Sequence, residues 1–234
     1  MNQTNFIEEL KKINIILTEK QLLQLEQYYE LLVEYNKVMN LTGITEKEEV
    51  YLKHFYDSAT LNKIIDLTKE KSLCDIGTGA GFPGLVLKII FPNLHVTLVD
   101  SLNKRIKFLN IVIEKLELEN IITVHARAEE YAKEHREEFD IVTARAVAFL
   151  PTLMEYCVPL VKVGKYFIPM KANLKEELEA SYNAMKLLNL EIKEEVEFFL
   201  PFEKSKRTLV KFYKKQKTNR HFPRKFSEIK KKSL

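Results

Sequence analysis

The first 66 or so residues show helical spacing of apolar positions and no strand alternation. Leu22, Leu25, Tyr29 and Leu32 recur every three or four residues, so they share one face of a long amphipathic helix. Thr18 followed by Gln21 fits a reciprocal cap at its start, and the helix is expected to end near Asn36 to Asn40. Thr45 with Glu48 suggests a second start, which places Val50, Tyr51, His54 and Phe55 on one stripe. After Asp66 the rhythm changes. Short apolar runs at 73–76, 94–99, 121–125, 141–144 and 166–170 alternate with helical patterns at 85–91, 105–116, 150–161 and 174–188. Strands separated by helices predict a parallel α/β sheet. The chain then passes from 190–199 to 208–213 through a turn at Pro201, which suits an antiparallel pair at one sheet edge. No repeat or low-complexity linker intervenes. Residues 1–66 are therefore expected to form a helical segment packed on a core of residues 67–216, with residues 217–234 as a tail.

Composition changes this picture in one place. The 234 residues carry a net charge of +4, yet residues 204–234 hold 13 Lys and Arg against the single acid Glu228, a net of +12 that leaves −8 on the rest. A concentrated basic end beside an acidic body points to a polyanion, and nucleic acid is the expected partner. No stretch approaches the roughly 18 consecutive apolar residues of a membrane span, and Met1-Asn2-Gln3-Thr4 is not a basic-then-apolar signal. A cytoplasmic protein with no membrane partner is expected. Cys74 and Cys157 lack the spacing of a metal or redox motif and read as buried apolar residues; no metal site is expected.

The chemistry concentrates between residues 75 and 84, where Asp75-Ile76-Gly77-Thr78-Gly79-Ala80-Gly81-Phe82-Pro83-Gly84 holds four of the six glycines. A strand-to-helix turn of this kind lets a ligand press against bare backbone. Asp100 closes the next apolar run, and both acids would face the same crevice of a doubly wound sheet. Gly79, Gly81 and Gly84 also satisfy G-x-G-x-x-G, so a nicotinamide-dependent oxidoreductase is formally open. Against it stands the spacing Asp-x-Gly-x-Gly-x-Gly from Asp75, which resembles the first motif of class I methyltransferases. After Asp100 the chain also leaves no room for a second domain.

Stretches outside the turn complete a resemblance in order along the chain: Asn36-Lys37-Val38-Met39-Asn40-Leu41-Thr42, Lys53-His54-Phe55-Tyr56-Asp57-Ser58, Leu98-Val99-Asp100-Ser101 with Lys104-Arg105, Ala144-Arg145-Ala146 and Met170-Lys171. Together with the glycine turn they resemble the RsmG (GidB) family, bacterial methyltransferases acting on N7 of a guanine in the 530 loop of 16S ribosomal RNA. The end His221-Phe222-Pro223-Arg224-Lys225 is similar to the basic tail of some members, although Phe226-Ser227-Glu228 lacks the glycine expected there. The resemblance implies a class I, Rossmann-like fold, mostly parallel with an antiparallel edge, and S-adenosylmethionine as cofactor. It implies cofactor contacts at Gly77, Gly79, Phe82, Asp100, Ala128, Glu129 and Arg145, with the Asp100 carboxylate on the ribose hydroxyls and Ala128-Glu129 at the adenine. It also implies RNA contacts at Lys171 and Arg207, and 16S RNA, the small ribosomal subunit or an assembly intermediate as partner of a monomeric enzyme.

N7 of guanine has an in-plane lone pair and no proton, so methyl transfer needs positioning and electrostatics rather than a general base. Arg145 is accordingly expected as the catalytic positioning group, with O6 on the same base edge as a candidate acceptor for its N–H groups. A factor that binds ribosomal RNA without turnover is the alternative from another class. His54 and Asp57, one helical turn apart, read as a structural hydrogen-bonded pair, His95 and His125 as ordinary core or rim histidines, and Tyr28, Tyr29 and Tyr35 as packing.

Overall fold

A computed structural model describes residues 1–172 and 174–234. The helical opening contains α1 (Gln3–Lys12), α2 (Glu19–Met39), α3 (Lys47–Val50) and α4 (Asp57–Ala59), with a π-turn at Tyr51–Tyr56 joining the last two. Thr18 and Gln21 form the expected reciprocal cap: the Gln21 amide donates to Thr18 Oγ1 at 3.3 Å and the Thr18 amide donates to Gln21 Oε1 at 2.9 Å. Asn40 ends α2 in the left-handed region at φ 49°. The second start lies one residue past the expected Thr45, at Glu46, which contributes no side-chain cap.

Seven strands follow: β1 (Ser72–Ile76), β2 (His95–Asp100), β3 (Ile121–His125), β4 (Phe139–Arg145), β5 (Val161–Lys171), β6 (Leu190–Phe199) and β7 (Lys206–Lys214). Their order is β3-β2-β1-β4-β5-β7-β6. The first five are parallel, and β7 runs antiparallel between β5 and β6. Between them lie α5 (Gly84–Ile90), α6 (Asn103–Lys115), α7 (Ala128–Glu134), α8 (Leu150–Cys157), α9 (Lys175–Ala180) and α10 (Tyr182–Leu187). The single helix expected over 174–188 is interrupted at Ser181, whose buried hydroxyl donates to the Glu177 carbonyl. A hydroxyl bonding back to the carbonyl four residues earlier commonly bends a helix.

Both sheet faces are covered, as parallel strands require. On one side Leu73, Val96, Leu98 and Ile141 join Phe6, Leu25, Tyr28, Leu32 and Phe55 of the helical opening, so that segment shares a core with the sheet. On the other side Cys74, Val99, Val142 and Ala144 meet Tyr131, Leu153, Tyr156 and Cys157. Both cysteines are fully buried, and burial pushes their thiols well above the ordinary range.

The basic tail also contributes to the core. It carries α11 (Phe226–Lys231), and Phe222 and Ile229 are buried in the second cluster. Arg224 clamps the wholly buried Glu155 of α8, with its amide and Nε both 2.8 Å from Oε1 and Nη2 2.6 Å from Oε2. Arg136 donates to the carbonyls of Thr218 and Phe222 at 2.7 and 2.6 Å. The tail is thus a strap across the α7–α8 face. Removing the Arg224 guanidinium alone would leave the Glu155 carboxylate without its cation, a loss of up to about 3 to 5 kcal/mol for a broken buried pair.

Candidate active site

In an open parallel sheet, ligands bind beyond the carboxyl ends of the strands where strand order reverses, here between β1 and β4. The turn after β1 runs through backbone conformations that side chains disfavour. Gly77, Gly79 and Gly81 have φ of 67°, 63° and 106°. Asp75, fully buried at the end of β1, holds the turn by accepting at Oδ2 from Thr78 Oγ1 at 2.7 Å and from the Gly84 amide at 2.8 Å. Its Oδ1 has no partner among the described residues. Burial dominates these hydrogen bonds and pushes the Asp75 carboxyl up to about 6.

Asp100 ends β2 and ties the two strand ends together. Its Oδ2 accepts from the Gly79 amide at 2.9 Å, its Oδ1 from the Leu102 amide at 2.9 Å, and Arg105 Nη1 lies 3.1 Å from Oδ2. A carboxylate has about four acceptor positions, and the Arg105 side chain is about one-third exposed, so ligand hydroxyls have access if that guanidinium yields. One cavity of about 290 Å³ is lined by Gly77, Asp100, Arg105, Ala128 and Glu129 among others. Glu129 is 5% exposed, and its Oε1 has no hydrogen-bond partner among the described residues, the exposed Arg127 guanidinium standing 4.0 Å away, beyond hydrogen-bond reach. A buried acceptor left unmade is costly, and a ligand N–H would satisfy it.

A second cavity of about 370 Å³ opens beside the first. Lys53, His54, Asp57, Arg145, Lys171 and Arg207 line it, four cations around one acid. Asp57 is the organiser. It is 3% exposed, with Oδ2 3.0 Å from Arg145 Nη1 and Oδ1 2.9 Å from Arg207 Nε. Arg145 Nη1 also donates to the Lys53 carbonyl at 3.0 Å, and Nη2 lies 3.3 Å from His54 Nδ1. Nδ1 thus stands between a guanidinium that can only donate and the Lys53 carbonyl, 3.1 Å away, that can only accept, so it serves one of them at a time according to its tautomer, while Nε2 lies 2.9 Å from the Thr42 hydroxyl, which can take either role. Burial first, and the Arg145 charge second, lower the imidazole to about 3. His54 is therefore neutral at physiological pH.

The structure thus divides the expected residues between two places. Gly77, Asp100, Ala128 and Glu129 meet at the first cavity, with Gly79 bonded to Asp100 behind it. Arg145, Lys171 and Arg207 meet at the second. Phe82 lines neither: its ring stacks on His54 with centroids 4.3 Å apart and lies 5.2 Å from the Arg145 guanidinium carbon. The Lys171 ammonium is held by the Ala148 carbonyl at 2.6 Å and Glu177 at 2.7 Å. His54 and Asp57, read from sequence as a structural pair, instead grip the arginine at the end of β4. Their signals were two polar residues about a turn apart in a helical segment and their place in the family-like stretch Lys53-His54-Phe55-Tyr56-Asp57-Ser58.

The strand order, the reversal between β1 and β4, and the glycine turn with an acid ending each of its two flanking strands define the class I methyltransferase fold. Solved structures agree on that fold. A mutant of MtNAS in complex with S-adenosylmethionine has TM-score 0.56 at 16% identity, covering 84% of this chain and 76% of that one. A Methanococcus jannaschii fibrillarin pre-rRNA processing protein has TM-score 0.51 at 20% identity over 65% of this chain and 70% of its own. Sequence comparison is more specific. The family described as rRNA small subunit methyltransferase G (GidB) matches residues 21–210. Ribosomal RNA small subunit methyltransferase G of Lysinibacillus sphaericus is 53% identical over 228 residues, 96% of each chain. That of Exiguobacterium sibiricum is 50% identical, again over 96% of each chain. The chain belongs to the rRNA small subunit methyltransferase G family.

Proposed function

We propose that this chain transfers the methyl group of S-adenosylmethionine to N7 of a guanine in the 530 loop of 16S ribosomal RNA. The observation that carries the reading is the meeting of the two cavities at Ala146, which lines both and stands in the left-handed region at φ 55° directly after Arg145. A donor held in the first cavity would have its reactive end beside a base in the second. The first cavity fits the cofactor because Glu129 offers a buried acceptor without a hydrogen bond to an exocyclic amine, Asp100 offers its carboxylate to hydroxyls, and Gly77 lines the wall without a side chain. When bound, S-adenosylmethionine supplies an electrophilic methyl on a sulfonium.

The chain's residues supply the remainder. No proton leaves N7, so a neutral His54 has no base role and serves to orient Arg145. Arg145, fixed by Asp57, His54 and the Lys53 carbonyl, presents a preset charge to the acceptor cavity, and charge held in place before reaction is what stabilises a transition state. Arg207 shares Asp57 and faces the same space. N7 and O6 lie deep in a paired A-form helix, so the substrate is an unpaired or opened nucleotide, as in a loop. In this reading residues 1–66 wall the acceptor cavity, 67–216 form the methyltransferase core, and the protein works in the cytoplasm as a monomer on ribosomal RNA.

The test is incubation with labelled S-adenosylmethionine and small subunits from cells lacking this gene, followed by mapping of the methylated nucleotide. Label at N7 of a 530-loop guanine is expected. Label at N1 or N2, preference for a nicotinamide dinucleotide, or RNA binding without transfer would overturn the proposal.

A further inference from the structure

The strap places one residue where a tail tethered to RNA would not need it. Phe226 opens α11 and lines the first cavity beside Arg127, Ala128, Glu129 and Tyr156. Phe226 remains 42% exposed as a residue, although its neighbours Phe222 and Ile229 are buried and Arg224 is locked to Glu155. The Arg127 guanidinium carbon lies 4.6 Å from the ring centroid, a cation–π contact that fixes the ring from the side of α7. The backbone is therefore anchored on both sides of an aromatic ring left half in water at a pocket rim. Neither the glycine turn nor the strand-end acids account for it.

We propose that Phe226 is a cofactor-contact residue, the aromatic wall at the adenine end of the cavity, held in place by Arg127 and the strap. This rests on the reading of that cavity as the S-adenosylmethionine site. Every nucleobase has a π-face that an aromatic side chain covers well, and Glu129 lies just across Arg127 from the ring, with Arg127 Nη1 4.0 Å from Glu129 Oε1. The inference makes cofactor affinity depend on the tail, the opposite of what a separable basic extension would do.

The chain contains no tryptophan, so Phe226→Trp introduces a single emitter at the proposed contact. Its emission should change on titration with S-adenosylhomocysteine, along the same isotherm that calorimetry gives. Phe226→Leu keeps apolar bulk and removes the ring. It should weaken S-adenosylmethionine and S-adenosylhomocysteine about tenfold with an unchanged melting temperature, whereas Phe226→Tyr should bind as the parent does. Parent-like affinity in Phe226→Leu together with silent emission in Phe226→Trp would overturn the proposal. A parent protein that binds neither ligand would instead overturn the underlying reading of the cavity.

Discussion

Asp57→Asn is the sharpest perturbation of the acceptor cavity, because one buried carboxylate holds two arginines there at 3.0 and 2.9 Å. The substitution is isosteric but turns one accepting oxygen into a donating NH2, so Arg145 or Arg207 must face donor against donor. Charge-assisted bonds contribute about 1.5 to 3 kcal/mol each. Because the arginine side chains are 17% and 21% exposed, water replaces part of that, and the lower end applies, about 2 to 3 kcal/mol for the pair. For a chain of this size the melting temperature should fall by about 4 to 10 °C. The effect on rate is separate. A displaced Arg145 no longer presents a preset charge, and loss of one such group lowers turnover about a hundredfold. Single-turnover transfer at saturating cofactor and RNA measures this, while calorimetry should show cofactor affinity within about twofold of the parent, since Asp57 does not line the donor cavity. A folded variant that transfers methyl within about threefold of the parent rate would refute the role given to Asp57 and, through it, to Arg145.

Two glycine substitutions should separate crowding from backbone strain in urea unfolding. Gly84→Ala places a Cβ 2.4 Å from Leu98 Cδ2 and 2.9 Å from Asp75 Oδ2 and should cost about 1 to 3 kcal/mol, whereas Gly79→Ala meets nothing within 4 Å and should cost only about 1 to 2 kcal/mol for its positive φ. Asp75, raised from 3.8 to about 6, binds its proton more tightly folded than unfolded, so its stabilisation is complete below about pH 4 and is lost as pH rises through 6. Asp75→Asn should remove that downward slope, about 3 kcal/mol at most, and an unchanged pH–stability curve would contradict the burial argument. With His54 lowered to about 3, the single-turnover rate should be flat from about pH 6.5 to 8.5, and a tenfold rise there would restore a general base. Replacing the exposed Lys230, Lys231 and Lys232 by Gln should flatten the salt dependence of RNA binding by up to about two units of slope while sparing cofactor affinity; an unchanged slope would remove these lysines from the RNA contact.

The fold was legible because local rules agreed. Short apolar runs, helical spacing, the Thr18 cap and the glycine turn all pointed to one arrangement, and the strands fell where the runs placed them, with β5 starting five residues earlier than expected. The first cavity was legible for the same reason, since Gly77, Asp100, Ala128 and Glu129 follow or end consecutive strands whose carboxyl ends must converge. The second cavity was legible only in part, through Arg145, Lys171 and Arg207, which the family resemblance named. His54 and Asp57 lie about 90 residues from Arg145 in sequence, and their helix meets β4 only through tertiary packing, so spacing carries no record of the contact. The place of Phe226 at the pocket was hidden for a related reason. A lone aromatic in a lysine-rich stretch has no periodic partners, and its place at a pocket rim depends on Glu155 being buried beneath Arg224.

The charge asymmetry shows where composition misleads even when its arithmetic is right. Of the 13 cations in residues 204–234, six stand within 4.0 Å of a carboxylate among the described residues: Lys206, Arg207, Lys211, Lys214, Lys217 and Arg224. Lys214 is wholly buried, with Nζ donating to the carbonyls of Val158 and Val161, and desolvation lowers it to about 8. Such a group completes the junction of β7 with the sheet and offers nothing to a phosphate. Arg207 serves the acceptor cavity and Arg224 serves the strap, so neither belongs to a diffuse electrostatic tether. Counterion release counts only charges that reach phosphates, and the number able to do so is well below the +12 that the sequence displays. The basic end of this chain therefore divides its cations by position. Those on β7 build the sheet edge and the substrate cavity, Arg224 secures the wall that carries Phe226, and the exposed lysines beyond Ile229 face solvent, where a ribosomal RNA surface can meet them.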